Sequence, residues 1–191
     1  MKIAILIIVI IILLIILCIL LKYCNNKNKI TCVYKEYLNN NINNKSVNEN
    51  NNKITNTTDN LMLQIDGQNV IGVIKIEKIN FEGVIYDGTS LQILAKGVGH
   101  FENTPYFDGN VCLAAHNTNA YWAKLHTLSV GDKIQYTSFL GTKEYEVNTI
   151  LKINETDWSY LKNTETNMLT LITCVKGQKN LRLCVQAREI K

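Results

Sequence analysis

The chain is poor in residues that punctuate the backbone and in residues that titrate near neutrality. It holds one proline, Pro105, and three histidines, His100, His116 and His126. With so few imidazoles, the group that moves protons near pH 7 comes from a very short set. His100, Glu102 and Asp108 fall close together, yet their spacing fits no ligand pattern, so no metal and no cofactor is expected. Lysines are scattered among acids, the net charge is only +4, and no basic block is interleaved with aromatics. Nucleic acid is therefore not an expected partner. No internal repeat is present. From Asn39 to Asn60 large apolar side chains are almost absent, while Asn, Lys, Ser and Thr dominate. Such a segment buries too little surface to offset its ordering entropy, so residues 23–60 are expected to be a flexible linker.

The N-terminus is the opposite extreme. Ile3 to Leu21 is a run of nineteen apolar residues without a charge, long enough to cross a bilayer core of about 30 Å as a helix. A cleaved signal peptide has a shorter apolar region and a small-residue cleavage site, whereas here Leu21 runs into Lys22-Tyr23-Cys24. Lipoprotein processing is poorly served too, because Cys18 and Cys24 follow Leu17 and Tyr23. An uncleaved anchor over residues 1–22 is expected, with the membrane as partner through residues 3–21. Tyr34 to Leu38 is expected to extend a short helix from it. Lys2 lies on one side of the run and Lys22, Lys27, Lys29 and Lys35 on the other, a bias that would keep the C-terminal part in the cytoplasm.

From residue 61 onward the pattern is one of short strands. Val73 to Ile79 alternates apolar and polar, Phe81 to Tyr86 follows, and Asp87-Gly88 turns. Ser90 is an N-cap for a short helix reaching Lys96. Gly97 to Gly109 reads as loop, Gly109 to Asn117 as strand, and Ala120 to Leu128 as helix, with Trp122, Leu125 and Leu128 at helical spacing. Lys133 to Phe139 and Lys143 to Ile153 form a hairpin, Asp157 to Leu161 one helical turn, and Met168 to Cys174 and Leu181 to Glu189 the last two strands, joined by a polar turn. Seven or eight strands with few helices predict a mainly β fold, a closed or nearly closed barrel over residues 61–191.

Three strand ends carry chemistry. Met168-Leu169-Thr170-Leu171-Ile172-Thr173 ends in Cys174, the next strand begins near Arg182, and Ala114-Ala115 leads into His116. A strand cysteine is usually buried packing, and an edge arginine is usually a solvated charge. Together, however, these residues suit acyl transfer. A thiol is the best protein nucleophile toward a carbonyl under mild conditions. An imidazole gives and takes protons near neutrality, and a guanidinium presents a fixed fork of donors to an oxyanion. Asp108 and Asn117 are alternative orienting partners for His116. His126, between Leu125 and Leu128, is expected to be structural. Cys112 shares parity with His116, and Cys184 with Arg182. Both read as small buried hydrophobes, although a Cys174–Cys184 disulfide would silence the nucleophile.

Thr170-Leu171-Ile172-Thr173-Cys174 resembles the T-L-x-T-C signature of sortases, and Ala114-Ala115-His116-Asn117 resembles their histidine strand. Arg182 matches the arginine of the strand after the cysteine. Gly99-His100-Phe101, Trp158-Ser159 and Arg182-Leu183-Cys184-Val185 are most like the class D branch. Ala115 departs from the pattern, since relatives commonly carry glycine before the histidine. The resemblance implies a sortase-like β-barrel with catalytic His116, Cys174 and Arg182, and with Ala114, Thr173 and His100 lining the substrate site. It further implies a Gram-positive, membrane-anchored cysteine transpeptidase with its catalytic domain outside, against the lysine bias. Its implied partners are an LPxTG-like sorting signal, cut between Thr and Gly, and an amine of the cell wall. Two alternatives stay open at this point: a hydrolytic cysteine peptidase, and a noncatalytic tethered barrel that binds surface peptides.

Overall fold

The structure, a computed structural model, describes residues 10–18, 63–65 and 67–190. Residues 10–18 form a helix, α1, with its apolar side chains exposed. No helix among the described residues is long and apolar enough to cross a membrane. The rest of the expected anchor, the linker over 23–60 and the Tyr34–Leu38 helix lie outside the described residues.

Nine strands follow. A short hairpin, β1 (Leu63–Ile65) and β2 (Gln68–Ile76), leads through a 3-10 turn at Glu77–Ile79 into β3 (Phe81–Asp87). Helix α2 (Leu91–Leu94) is capped by Ser90, whose hydroxyl accepts from the Ile93 N–H, as its sequence position predicts. Then come β4 (Val98–His100), β5 (Asn110–Ala114), β6 (Lys133–Ser138), β7 (Gly141–Asn154), β8 (Met168–Val175) and β9 (Gln178–Glu189). The sheet runs β1-β2-β3-β4-β5-β8-β9-β7-β6, and a further β2–β6 pairing closes it. The barrel therefore has eight strands, β2 to β9, with β1 added beside β2. The expected mainly β closed barrel of seven to eight strands is what the chain forms.

Inside and outside follow from the pleat. Val111, Leu113, Leu169, Leu171, Leu183, Val185 and Ala187 point into the main core with Trp122, Tyr136 and Tyr145. Their alternating neighbours face outward. On β2 a bulge between Val70 and Gly72 resets the alternation, so Ile71 and Ile74 enter the core while Val70 and Val73 join a second cluster outside. Gly72 sits where β6 crosses: a Cβ there would lie 2.5 Å from the Thr137 carbonyl oxygen.

Three local expectations differ. The Gly97–Gly109 stretch contains β4, parallel to β3 and antiparallel to β5. Ala120–Leu128 is no helix but a series of tight turns ending in a 3-10 helix at Leu125–Thr127. Trp122, Leu125 and Leu128 are buried as their spacing implies, but bonds such as Trp122 N–H to His116 O and Ala123 N–H to Thr118 O carry them inward without an α-helix. The polar turn after Cys174 is only Lys176-Gly177, with Gly177 at positive φ, so β9 starts at Gln178.

Candidate active site

The site is built on the outer face of β5, β8 and β9, where parity fixes three tiers. Cys112, Thr170 and Gln186 share the deepest, Ala114, Ile172 and Cys184 the next, and Cys174 faces Arg182 at the top. Cys174 and Arg182 are direct partners in the antiparallel register, with a bulge immediately after the cysteine. The pairing sets the two side chains next to each other on one face of the sheet. Cys174 is exposed, whereas Cys112 and Cys184 are fully buried. All three are free thiols, so no Cys174–Cys184 disulfide forms. Burial pushes the thiols of Cys112 and Cys184 up to about 12, which keeps both neutral and unreactive.

His116 lies two residues beyond β5, on a loop stitched to β8. Ala115 N–H donates to Ile172 O at 3.3 Å, Thr173 Oγ1 donates to Ala115 O at 2.7 Å, and Asn117 Nδ2 donates to Cys174 O at 2.6 Å. Three bonds in a row hold the histidine loop to the cysteine strand. Ala115 is accommodated without strain: its methyl is buried in the core, and the one non-glycine residue at positive φ among those described is Asn80.

Arg182 is held from behind. Its Nη1 donates to Lys179 O and Leu181 O, and its Nη2 donates to Glu155 Oε2 at 2.7 Å. These bonds use three of the five guanidinium N–H groups and leave two for the cleft. His116, Cys174 and Arg182 all line one cleft of about 320 Å³, together with Ala114 and Thr173. Its walls are apolar, with Leu91, Leu94, Ile153 and Ile172, and its rim carries Phe101 and an exposed Trp158 in edge contact. Asp157 is also on the rim, its carboxyl held below the ordinary range by the Ser159 hydroxyl and N–H.

One expected lining residue is misplaced. His100 is fully buried and does not reach the cleft. Its Nδ1 meets Asp87 at 3.2 Å, its Nε2 meets Pro105 O and Thr104 Oγ1 at 3.1 Å, and its ring stacks on Tyr106. It ties the Phe101–Tyr106 loop to β3, a structural task. Neither candidate orienter serves His116: Asp108 pairs with Lys143, and Asn117 bonds Cys174 O. Glu155 carries little signal in the sequence, where only its charge hints at pairing with an arginine 27 positions away. Among the described residues no group of His, Cys, Asp and Glu is arranged to hold a metal.

A family model described as the sortase domain matches residues 74–190. The chain belongs to the sortase family. It is 28% identical to Sortase A of Bacillus anthracis over 130 residues, which cover 66% of this chain and 62% of that one. It is 31% identical to Sortase D of Bacillus subtilis over 106 residues, 54% of this chain and 53% of the relative. It thus spans less than two thirds of either relative's length. Among solved sortases, a Clostridium perfringens Sortase D5 transpeptidase superposes with a TM-score of 0.59 at 33% identity, covering 64% of this chain and 79% of that structure.

Proposed function

We propose that the chain is a membrane-anchored cysteine transpeptidase that cleaves an LPxTG-like sorting signal between Thr and Gly and passes the acyl group to a cell-wall amine. The observation that carries this reading is the register of Cys174 against Arg182, with His116 tied alongside in the same cleft. Cys174 Sγ attacks the threonine carbonyl carbon, and the two remaining Arg182 donors steady the oxyanion. His116 protonates the departing glycine amine as the C–N bond breaks, leaving a thioester on Cys174. An incoming amine then attacks the thioester, His116 takes its proton, and the thiolate leaves. Likeness to Sortase D relatives supports class D.

The apolar, exposed helix α1 supports anchoring through residues 3–21, and the sortase likeness supports a barrel outside the cell. A membrane-impermeant maleimide, applied to intact cells expressing a variant without Cys24 and Cys32, labels Cys174 if the barrel is external. Labelling only after lysis reverses the orientation.

The activity is tested on the detergent-solubilised full chain with a quenched LPxTG peptide, with and without triglycine, followed by mass spectrometry. A thioester adduct and a triglycine-ligated product are expected, and both vanish in Cys174→Ala. Cleavage with hydrolysis alone would make it a cysteine peptidase. Neither cleavage nor adduct would leave two readings, a divergent sorting signal or a tethered binding barrel.

A further inference from the structure

Cys174 is set by its strand and Arg182 by three hydrogen bonds, but His116 stands on a loop past the end of β5. The two side chains best suited to orient its imidazole are engaged elsewhere, Asp108 with Lys143 and Asn117 with the Cys174 carbonyl. What the imidazole does meet is Tyr121, whose ring centre lies 6.5 Å away at an inclination of 55°. Tyr121 lines neither the cleft that holds His116 nor the larger one that also opens on Cys174. It is half-buried against the main core instead.

Tyr121 is itself held at both ends. Its N–H donates to Thr118 O at 2.9 Å, and its neighbour, the fully buried Trp122, donates an N–H to His116 O at 3.1 Å. This turn folds the tyrosine back onto the histidine. At the far end the Tyr121 hydroxyl donates to Ala95 O at 2.8 Å. Ala95 is the C-cap of α2, where helix carbonyls have no partner within the helix. The same helix buries Ile93 in the second cluster and turns Leu91 and Leu94 to the cleft wall.

We infer that Tyr121 is the positioning residue for His116, a strut that sets the imidazole relative to α2 and so relative to a peptide resting on the α2 wall. The inference rests on the transpeptidase reading above, in which His116 moves the proton. General acid–base work requires the imidazole to point at the atom it serves, and in nucleophilic sites a third group orients the base. Here the third group is a ring wall. A tyrosine side chain turns about only two χ angles, so tying its hydroxyl to Ala95 removes most of the freedom that remains. A wall of this kind restricts the swing of the imidazole without occupying either of its nitrogens, and both stay available for proton transfer.

Two variants of the full chain separate the parts of the strut. Tyr121→Phe keeps the ring and loses the bond to Ala95, whereas Tyr121→Leu loses the ring. Cleavage of the quenched LPxTG peptide gives kcat and KM, and thermal unfolding gives stability. Imidazole NMR of the chain labelled with 15N-histidine reports on His116 without turnover, its signals identified by their loss in His116→Gln. In both variants kcat is expected to fall with KM unchanged, more in Tyr121→Leu, by up to about a hundredfold, the order of effect of misplacing a reacting group by about 1 Å. The His116 signals move in both, and those of His100 do not. An unchanged kcat in Tyr121→Leu, a kcat that falls only in step with the melting temperature, or unmoved His116 signals would overturn the inference. A wild-type chain that cuts no peptide would count against the transpeptidase reading alone, and the imidazole signals would still decide whether Tyr121 holds His116.

Discussion

The three barrel cysteines share a chemistry and differ in what surrounds them. Cys174 ends an outward tier and meets solvent, whereas Cys112 and Cys184 sit below it under Tyr160 and Phe101. Iodoacetamide applied to the folded chain is therefore expected to modify Cys174 and spare the other two, as peptide mass mapping will show. Burial also links the hidden thiols to stability. Their folded-state values lie above that of an exposed thiol, so above about pH 8.5 the unfolded chain loses protons that the folded chain keeps. Stability is then fully present below that pH and declines toward about pH 12, by up to about 1.4 kcal/mol per pH unit for each thiol. Denaturant titrations at pH 8 and pH 10 are expected to show a shallower decline in Cys184→Ala than in wild type. Glu155 belongs to the same scale. Replacing it with Gln removes the charge that braces Arg182, and peptide cleavage is expected to lose up to about a hundredfold in kcat with little change in KM, the order of effect of misplacing a reacting group. Glu155→Asp should recover part of the loss. Cys174 and His116 were legible because each stands at or just past a strand end beside polar residues within a known motif, and Arg182 because it follows the polar turn after the cysteine, although β9 starts four residues before it. His100 was not: its burial depends on Asp87, thirteen positions earlier in the chain, a distance over which periodicity carries no information.

At the scale of elements, the segment after β7 becomes a cleft wall because Asn110 holds it. The buried amide of Asn110 donates to Tyr160 O and Lys162 O, and its carbonyl accepts from Thr170 Oγ1. Asn110→Ala strands those partners, and a loss of about 2–3 kcal/mol is expected from denaturant unfolding, in line with buried polar groups left unpaired. Hydrogen exchange should quicken in residues 158–163 before it does in β8. The β8–β9 hairpin was readable from its alternation and from Gly177, even though its turn proved shorter than the polar stretch suggests. Residues 120–128 depart from the expected helix because helical spacing reports only which side chains share a face. A run of turns fixed by His116 O and Thr118 O buries the same three residues.

At the scale of the molecule, closure of the barrel decides whether the site exists. The β2–β6 seam joins residues more than sixty positions apart, Gly72 with Ser138 and Ile74 with Tyr136. Pairing at that separation leaves no local trace, so strand number could be counted from sequence but strand order could not. The bulge and glycine at Gly72 let β6 approach, and Gly72→Val is expected to cost about 3 kcal/mol or more by overpacking against Thr137. Thermal unfolding would register it, and Cys112 should then become open to alkylation.

Cys174 also lines a second cleft of about 940 Å³ beside the one that holds His116 and Arg182, and a sulfur open on two sides has a consequence for the order of events. With one doorway, the departing peptide would have to clear before the acceptor could enter, and double-reciprocal plots at several acceptor concentrations would run parallel. With two, the acceptor can be seated while the donor is still whole. The plots stay parallel all the same, because the cut amine leaves before the acceptor reacts, and early seating should show instead as aminolysis outrunning hydrolysis from the first turnover.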